Sequence, residues 1–384
     1  MKSEVKRSNI LNIAWIGQGD FGDEAMAFAL RKYLQSLGIN KITYYHHGKY
    51  PAYRTAHDLK INYLHSFNSK GIKKKIFDKF FLQKYNALII GGGSILHSYP
   101  SIKWKLDIIR QLKKANFSFV SMAVGVSLGP FEYQGAVDIC TQFLNEIDLA
   151  LFRDNYSADL AYQLSTNPNL HASLDTSLLL LDQTPKEFEH QESRDSKKVG
   201  LMLVKNKQKQ ERFDEQEHFQ KYLDIINHIT AQDKKVVLFT FYIGEAYPDK
   251  KLNIKLKKYA KNPEMIEFHN FNGDIYHTVK AMNQCSYMLS MRLHGIIFAY
   301  MLSLPFVSLG YDPKNMNFCK SINYPDNLYH EFNSLKSITP VLNSLDFIFE
   351  HKKQVFENVM PIEKSVEKVK NNFNKVAKIL KQKL

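Results

Sequence analysis

The sequence predicts an α/β protein of two doubly wound, Rossmann-like domains that face a central cleft. Short apolar segments typical of buried strands alternate with amphipathic helical segments along most of the 384 residues. Glycines or polar residues follow several of these strands, as turns require. Residues 182–198 interrupt the alternation with a polar, aperiodic stretch. We therefore predict a boundary there, with domains at 1–185 and 195–345 and a C-terminal segment at 346–384.

The first domain opens with a predicted strand at 11–16 and a helix at 24–37. Between them, residues 17–22 (GQGDFG) satisfy the dinucleotide-binding pattern G-x-G-x-x-G. A dinucleotide site also needs an acid about 20 residues further on to hold the ribose, but no Asp or Glu occurs from residue 25 to residue 57. We interpret the segment as a glycine turn that approaches a ligand, and we do not predict an NAD site.

Glycine-rich segments mark two further places in this domain. A predicted strand at 87–90 leads into Gly91, Gly92, Gly93 and Ser94, and a strand at 117–124 leads into Gly125 and residues 126–130. Successive glycines are entropically unfavourable and occur where the backbone must come close to another group. Residues 46–81, an irregular aromatic and basic stretch, are a candidate acceptor-facing loop.

Polar residues end the later strands of the first domain. The predicted strand 149–152 is followed by Arg153 and Asp154, and Asp175 lies in the apolar stretch 170–181. We expect Asp154 to cap the helix at 156–164, which leaves Arg153 as the functional candidate.

The corner at residues 290–295 is the most informative feature of the second domain. An apolar strand precedes it and an apolar helix from 296 to 302 follows it, yet it contains Arg292 and His294. A permanent guanidinium charge beside a group that titrates near neutrality suits an anionic ligand and a proton transfer. The alternative is a structural arginine and a core histidine.

Strands are predicted in this domain at 199–204, 236–241, 266–269, 287–289 and 306–309, and helices at 219–229, 253–261 and 274–282. Ligands of parallel sheets bind beyond the carboxyl ends of the strands. The glycine segments, Arg153 and the 290–295 corner all follow predicted strands, so we expect them to share one cleft. Beyond residue 346, apolar residues at steps of three and four predict an amphipathic helix that packs back on the first domain, with a membrane-surface role as the alternative.

The cysteine content and the net charge indicate where the protein works and which partners it binds. No signal peptide or membrane-spanning segment is predicted, and three distant cysteines fit a reducing cytoplasm. We therefore predict a cytoplasmic protein, with peripheral contact at the inner membrane face as the alternative location. The net charge of +14 favours acidic partners, such as a phosphorylated substrate or an anionic membrane. Clusters such as Lys73-Lys74-Lys75 are typical of solvated faces or of attraction to membranes. Nucleic acid is not predicted because the sequence has no recognition motif that would organise the basic residues.

These motifs together resemble the polysaccharide pyruvyl transferase family. The carrying segments are residues 22–25 (GDEA), the glycine-rich 86–96, Arg153-Asp154 with Ser157, Leu174-Asp175, and Arg292-Leu293-His294 followed by Pro305, Tyr311 and Lys314. Asp20 stands where the family usually has asparagine. The resemblance implies a two-domain architecture like that of GT-B glycosyltransferases, with domain 1–185 on the acceptor side and domain 195–345 on the phosphoenolpyruvate side. It also implies transfer of the enolpyruvyl unit of phosphoenolpyruvate to a sugar, as a cyclic ketal, in the synthesis of bacterial capsule or exopolysaccharide.

The candidate residues suit that chemistry. We predict that Arg153 and Arg292 bind the phosphate and carboxylate of phosphoenolpyruvate, assisted by the backbone of Gly92, Gly93, Ser94 and Gly125. His294 is the predicted general acid, and Asp20, Asp23 or Asp175 could accept the proton of a sugar hydroxyl. The resemblance adds Tyr311 and Lys314 as binding residues. We expect no metal and no cofactor, with a free, lipid-linked or nucleotide-linked glycan as acceptor.

Two alternatives remain open. One is a nucleotide-sugar glycosyltransferase of the same architecture, which is disfavoured because residues 295–311 contain no acid to hold a donor ribose. The other is a non-catalytic protein that binds anionic glycans or lipid head groups, in which Arg292 and His294 would be dispensable for turnover.

Overall fold

The computed structural model describes residues 9–17, 19–46, 62–65, 84–116, 118–131, 133–189, 195, 197–204, 215–242 and 248–383. The Lys73-Lys74-Lys75 cluster and most of the candidate acceptor loop 46–81 lie outside these residues. The chain divides into two compact units. The first comprises Met1–Gln18, Asp23–Gln183 and Glu363–Leu384, and the second comprises Gly19–Gly22 and Thr184–Ile362.

The first unit contains a parallel sheet with the strand order β3-β2-β1-β4-β5-β6-β7. Its described strands are β1 (Ile10–Ile13), β2 (Ile42–His46), β3 (Asn62–His65), β4 (Ala87–Leu96), β5 (Val120–Leu128), β6 (Leu149–Phe152) and β7 (Leu170–Ala172). Its described helices are α1 (Phe21–Ser36), α2 (Tyr99–Ala115), α3 (Gln134–Glu146), α4 (Asn155–Leu164) and α5 (Leu179–Gln183). All of β5 is buried, as expected for a central strand with helices on both faces.

The second unit has a parallel sheet with the order β10-β9-β8-β11-β12-β13. Its described strands are β8 (Lys198–Met202), β9 (Lys235–Thr240), β10 (Ile266–Asn270), β11 (Tyr287–Ser290), β12 (Phe306–Gly310) and β13 (Tyr329–Glu331). Its described helices are α6 (Glu215–Ala231), α7 (Pro248–Tyr259), α8 (Ile275–Asn283), α9 (Leu293–Met301), α10 (Pro313–Ser321) and α11 (Thr339–Glu350). The sequence pattern did not indicate α10, β13 or α11.

Both sheets have the doubly wound order, which confirms the predicted α/β class with one such sheet in each unit. The strand order reverses between β1 and β4 in the first unit and between β8 and β11 in the second. Ligands of doubly wound sheets bind at this switch point, beyond the carboxyl ends of the strands. Each unit therefore has one defined edge at which to look for a site.

The last described helix, α12 (Ile362–Lys383), belongs to the first unit from Glu363 onward. Its apolar side is buried through Val369, Phe373, Val376 and Leu380. The hydroxyl of Tyr33 on α1 donates to the Phe373 carbonyl at 2.7 Å. The segment treated as one piece in the sequence analysis, 346–384, is thus divided, because residues up to Ile362 group with the second unit. No helix in the described part of the chain is long and apolar enough to cross a membrane.

Candidate active site

The corner after β11 is built around Ser290. Its buried hydroxyl accepts a hydrogen bond from the Arg292 amide at 3.0 Å and donates to the Arg292 carbonyl at 2.8 Å. Helix α9 then begins at Leu293, three residues earlier than predicted, so His294 and Gly295 lie in its first turn. A Cβ on Gly295 would lie 2.1 Å from Ser290 Oγ and 2.2 Å from Met202 Sδ. Glycine at this position lets α9 start directly against the switch point of the second sheet.

Arg292 is held by two carboxylates. Its Nε donates to Asp249 Oδ2 at 3.1 Å and its Nη2 bonds the same oxygen, while Nη1 lies 3.3 Å from Asp20 Oδ2. Burial lowers the pKa of the Arg292 guanidinium, but the negative charges of Asp249 and Asp20 outweigh burial and raise this pKa above its ordinary value. The two acids differ in solvent exposure, since the Asp249 side chain is 2% exposed and that of Asp20 is 24% exposed.

Asp20 belongs to the second unit, although the sequence analysis placed its glycine turn in the first domain. Asp20 forms an isolated antiparallel bridge with Tyr242, and the Phe21 amide donates to the Phe241 carbonyl at 2.9 Å. The buried Phe21 ring packs against Phe241 and Phe298, with ring centroids 4.4 and 4.7 Å away. These contacts hold the Asp20 carboxylate beside Arg292.

His294 packs directly on Gly22 of the same segment. A Cβ built on Gly22 would lie 1.8 Å from His294 Nδ1, so a side chain at position 22 and the present imidazole position exclude each other. The imidazole is half-buried. Asp20, Arg292 and His294, three of the predicted site residues, are therefore brought together by the backbone of residues 19–22 and the start of α9.

Tyr311 and Lys314 follow β12, the strand beside β11. Tyr311 is half-buried and lies near enough to Arg292 for a phenolate at this position to raise the pKa of the guanidinium. Lys314 instead pairs with Asp312, which caps α10: Lys314 Nζ lies 2.9 Å from Asp312 Oδ2, and its backbone amide donates to Asp312 Oδ1 at 2.8 Å. Tyr311 thus belongs to the surroundings of Arg292, and Lys314 has a structural ion pair.

Arg153 is buried in the first unit and contacts three polar side chains. Its Nε donates to Ser127 Oγ at 2.6 Å, its Nη2 donates to Ser94 Oγ at 3.0 Å, and its Nη1 lies 3.8 Å from Asp175 Oδ2. Asp175 is also buried, and its Oδ1 accepts from the amide and the hydroxyl of Ser177. The predicted residues Ser94, Arg153 and Asp175 therefore form one network at the carboxyl ends of β4, β5 and β6.

The glycines predicted to form turns after the strands lie within the strands. Gly92 and Gly93, with φ of +70° and +90°, are part of β4, and Gly125, with φ of +64°, is part of β5. The register of β4 against β5 shifts between Gly93 and Leu96, and that of β5 against β6 shifts between Val124 and Val126, as in a β-bulge. A Cβ on Gly125 would lie 2.1 Å from Thr176 Oγ1, and one on Gly93 would lie 3.2 Å from Asp23 Oδ1. The glycines thus allow polar side chains to approach the strands closely.

Two further acids lie at helix starts: Asp154, which was predicted as a cap, and Asp249, which was not predicted. Asp154 caps α4 by accepting from the Ser157 amide at 2.8 Å, which confirms that prediction. Asp249 was not predicted as a site residue, because the sequence analysis began the helix after β9 at residue 253. The available signal was Pro248-Asp249 at a helix start just after an apolar strand, a combination typical of a first helical turn.

Two units, each built on a doubly wound parallel sheet, have the α/β architecture of the GT-B class. A family model for polysaccharide pyruvyl transferases matches residues 20–313, and the chain belongs to that family. The matched segment begins at Asp20 and includes Arg153, Arg292 and His294. No curated protein matches the chain in sequence.

Solved structures of similar fold support the class. The HepE protein of Anabaena in complex with UDP has 11% identity and a TM-score of 0.60, and the match covers 97% of this chain and 100% of that one. A glycosyltransferase from Rickettsia africae has 13% identity and a TM-score of 0.58, with 98% of each chain covered. The UDP-GlcNAc 2-epimerase of Methanocaldococcus jannaschii has 10% identity and a TM-score of 0.60, covering 95% of this chain and 99% of that one. At these identities the likeness concerns the fold alone.

Proposed function

We propose that the protein transfers the pyruvyl unit of phosphoenolpyruvate to two hydroxyls of one sugar, forming a cyclic ketal in the synthesis of bacterial capsule or exopolysaccharide. The observation that carries this proposal is the placement of Arg292 and His294 at the start of α9, beside Asp20, within the segment that matches the family. An anion-binding group and a proton-transfer group are what a phosphorylated enol substrate requires.

Donor binding in this proposal uses Arg292 and the first turn of α9. The first amides of a helix have no partner within the helix and attract anions. Asp249, which is buried, stays on one edge of the Arg292 guanidinium and fixes its orientation. Asp20 is more exposed and contacts only Nη1, so the phosphate or carboxylate of the donor can compete with it there.

The reaction balances with proton transfers alone. His294 donates a proton to the methylene carbon of phosphoenolpyruvate while the first sugar hydroxyl attacks the adjacent carbon and loses its proton. Phosphate leaves from that carbon, and the second hydroxyl takes its place and also loses its proton. Of the two hydroxyl protons, one restores protonated His294 and the other leaves with the phosphate as hydrogen phosphate. The products are the ketal and inorganic phosphate. Neither a redox cofactor nor a metal takes part in this scheme.

Of Asp20 and Asp175, Asp20 suits the role of the base better, and Asp23 stays a prediction. Asp175 is buried and accepts hydrogen bonds from Ser177 while it faces Arg153. Asp20 is partly exposed and lies beside Arg292, so a donor that displaces it from Nη1 would free a carboxylate next to the reacting carbon. We assign Arg153 and Asp175 to the support of Ser94 and the glycine bulges of β4 and β5.

Calorimetry with phosphoenolpyruvate and a phosphate-release assay test the proposal. The wild type should bind phosphoenolpyruvate and release phosphate when the acceptor is present. Arg292→Lys keeps the charge beside Asp249 but removes the planar fork, so we expect phosphoenolpyruvate affinity to fall at least about tenfold in a folded protein. Wild-type protein that binds UDP-glucose and not phosphoenolpyruvate would refute the proposal and favour a nucleotide-sugar transferase.

Localisation follows from the substrate chemistry and charge. We propose a cytoplasmic protein, because phosphoenolpyruvate is a cytoplasmic metabolite. Its net charge of +14 would allow peripheral contact with anionic lipid that carries the acceptor.

A further inference from the structure

A small cavity lies at the switch point of the first sheet, within the first unit. Its lining includes Asn12 of β1, Gly91 and Gly92 of β4, Trp15, Asp23 and Thr176. The space for water-sized groups inside it is about 10 Å³, which is room for one hydroxyl or one water. A Cβ on Gly91 would lie 3.3 Å from Asn12 Nδ2, so the glycine keeps this space open.

Two buried polar side chains in the cavity wall have unused hydrogen-bonding capacity. Asn12 is 0% exposed, and neither its Oδ1 nor its Nδ2 has a hydrogen-bond partner among the described residues. Thr176 is 2% exposed, and its Oγ1 is likewise unpartnered within the described part of the chain. A buried amide and hydroxyl left unbonded are energetically costly, so the cavity is built to receive a group that both donates and accepts hydrogen bonds.

A large aromatic side chain lines the same cavity and is open to solvent. Trp15 follows β1 and is 57% exposed. Exposed tyrosines follow the next strands of the sheet in order: Tyr99 after β4, Tyr133 after β5 and Tyr156 after β6. The rings of Tyr99 and Tyr133 are 6.4 Å apart. At about 4.8 Å per strand, the four strands span about 14 Å, which is longer than one sugar ring.

We propose that Trp15, Asn12 and Thr176 form a sugar subsite for the acceptor glycan at this edge of the first unit. One sugar lies with its apolar face on Trp15 and places a hydroxyl in the cavity, where it bonds Asn12 and Thr176. Neighbouring sugars of the same chain lie along Tyr99 and Tyr133. An amphipathic sugar ring suits this combination, because its C–H face packs on an aromatic ring while its hydroxyls need polar partners. The inference rests on the proposed function in taking the ligand to be a glycan.

Binding to a glycan array of bacterial surface oligosaccharides, without phosphoenolpyruvate, tests the inference. The array identifies the preferred oligosaccharide, and calorimetry with that compound compares three variants with the wild type. Trp15→Ala removes the stacking surface, and Thr176→Val removes the hydroxyl at nearly constant volume. Tyr259→Ala, on α7 of the second unit, is the matched control, because Tyr259 is also 57% exposed. We expect the two site variants to lose about tenfold or more in glycan affinity and the control to keep it.

An independent readout uses tryptophan fluorescence. The chain has two tryptophans, Trp15 and Trp104, so Trp104→Phe leaves Trp15 as the sole tryptophan. Addition of the array-selected oligosaccharide should then change the emission of Trp15.

Three results would overturn the inference: no glycan bound by the wild type, wild-type affinity in both site variants, or no change in Trp15 emission. A cavity that merely holds a structural water would give variants with altered melting temperature and unaltered glycan affinity. Phosphoenolpyruvate binding is measured separately on the same proteins and should be unchanged in Trp15→Ala. Glycan binding without phosphoenolpyruvate binding would refute the proposed function and leave this inference standing.

Discussion

Substituting Gly22 by alanine should displace the imidazole of His294 while leaving the fold intact. Gly22 lies in the first turn of α1 and does not have a positive φ, so its backbone suits alanine. The added Cβ would lie 1.8 Å from His294 Nδ1 and 2.3 Å from Cγ, whereas ordinary contacts begin at 3.4 Å. The ring must therefore move by the difference, about 1.6 Å, or rotate away.

The size of the effect follows from this displacement. A misplacement of about 1 Å at a reacting group can lower a rate about 100-fold, so we expect kcat of Gly22→Ala to fall at least about 100-fold. This corresponds to about 2.7 kcal/mol in activation free energy. Alanine is favoured over glycine in a helix by up to about 1 kcal/mol, so the melting temperature should not fall sharply.

Phosphate release under single-turnover conditions measures the rate, and calorimetry measures phosphoenolpyruvate binding. The decisive control is a double-mutant cycle with His294→Ala. If Gly22 acts through the imidazole, Gly22→Ala should have no further effect once the ring is absent. A wild-type rate in Gly22→Ala, or an equal loss in both backgrounds, would refute the assignment of His294 as the acid.

Three further predictions concern stability. Gly295→Ala should destabilise the second unit by about 3 kcal/mol or more, measured by urea unfolding, because its Cβ would lie within 2.2 Å of buried Ser290 and Met202 atoms. Arg292→Ala should lower stability by about 3–5 kcal/mol, since it leaves the Asp249 carboxylate buried without its cation; a melting temperature like that of Arg292→Lys would contradict this. Burial lowers the pKa of Lys105 from 10.5 to about 8, so above pH 8 the unfolded chain binds this proton more firmly. The free energy of unfolding should then rise between pH 8 and about pH 10.5, and Lys105→Met should flatten that rise in matched denaturation curves.

Local patterns allowed some parts of the site to be predicted. The strand, corner and helix around Arg292 and His294 are contiguous, and their apolar periodicity is strong enough to place both residues in the corner that follows β11. Asp154 was predicted as a cap because the helix that it caps follows immediately. These predictions need only local sequence and the rule that parallel strands end at one edge.

Contacts between segments that are distant in the chain could not be predicted from the sequence. Asp249 lies 43 residues before Arg292, and the pairing of their side chains depends on the order in which the strands assemble. The same holds for Asp20, whose segment groups with strands more than 200 residues later through Tyr242. The glycines at 92, 93 and 125 indicated close approach, but a bulge inside a continuing strand cannot be distinguished from a turn by composition.

The position of α12 has a consequence for biosynthesis. The first unit is interrupted by residues 184–362 and receives α12 only after them. Until the ribosome has made α12, the apolar groups that Val369, Phe373, Val376 and Leu380 bury have no cover. The nascent first unit therefore stays incomplete, with this apolar surface exposed to chaperones, while residues 184–362 of the second unit are synthesised. Expression of residues 1–183 alone should accordingly give an aggregation-prone fragment, and co-expression of a peptide spanning 362–384 should improve its recovery in the soluble fraction.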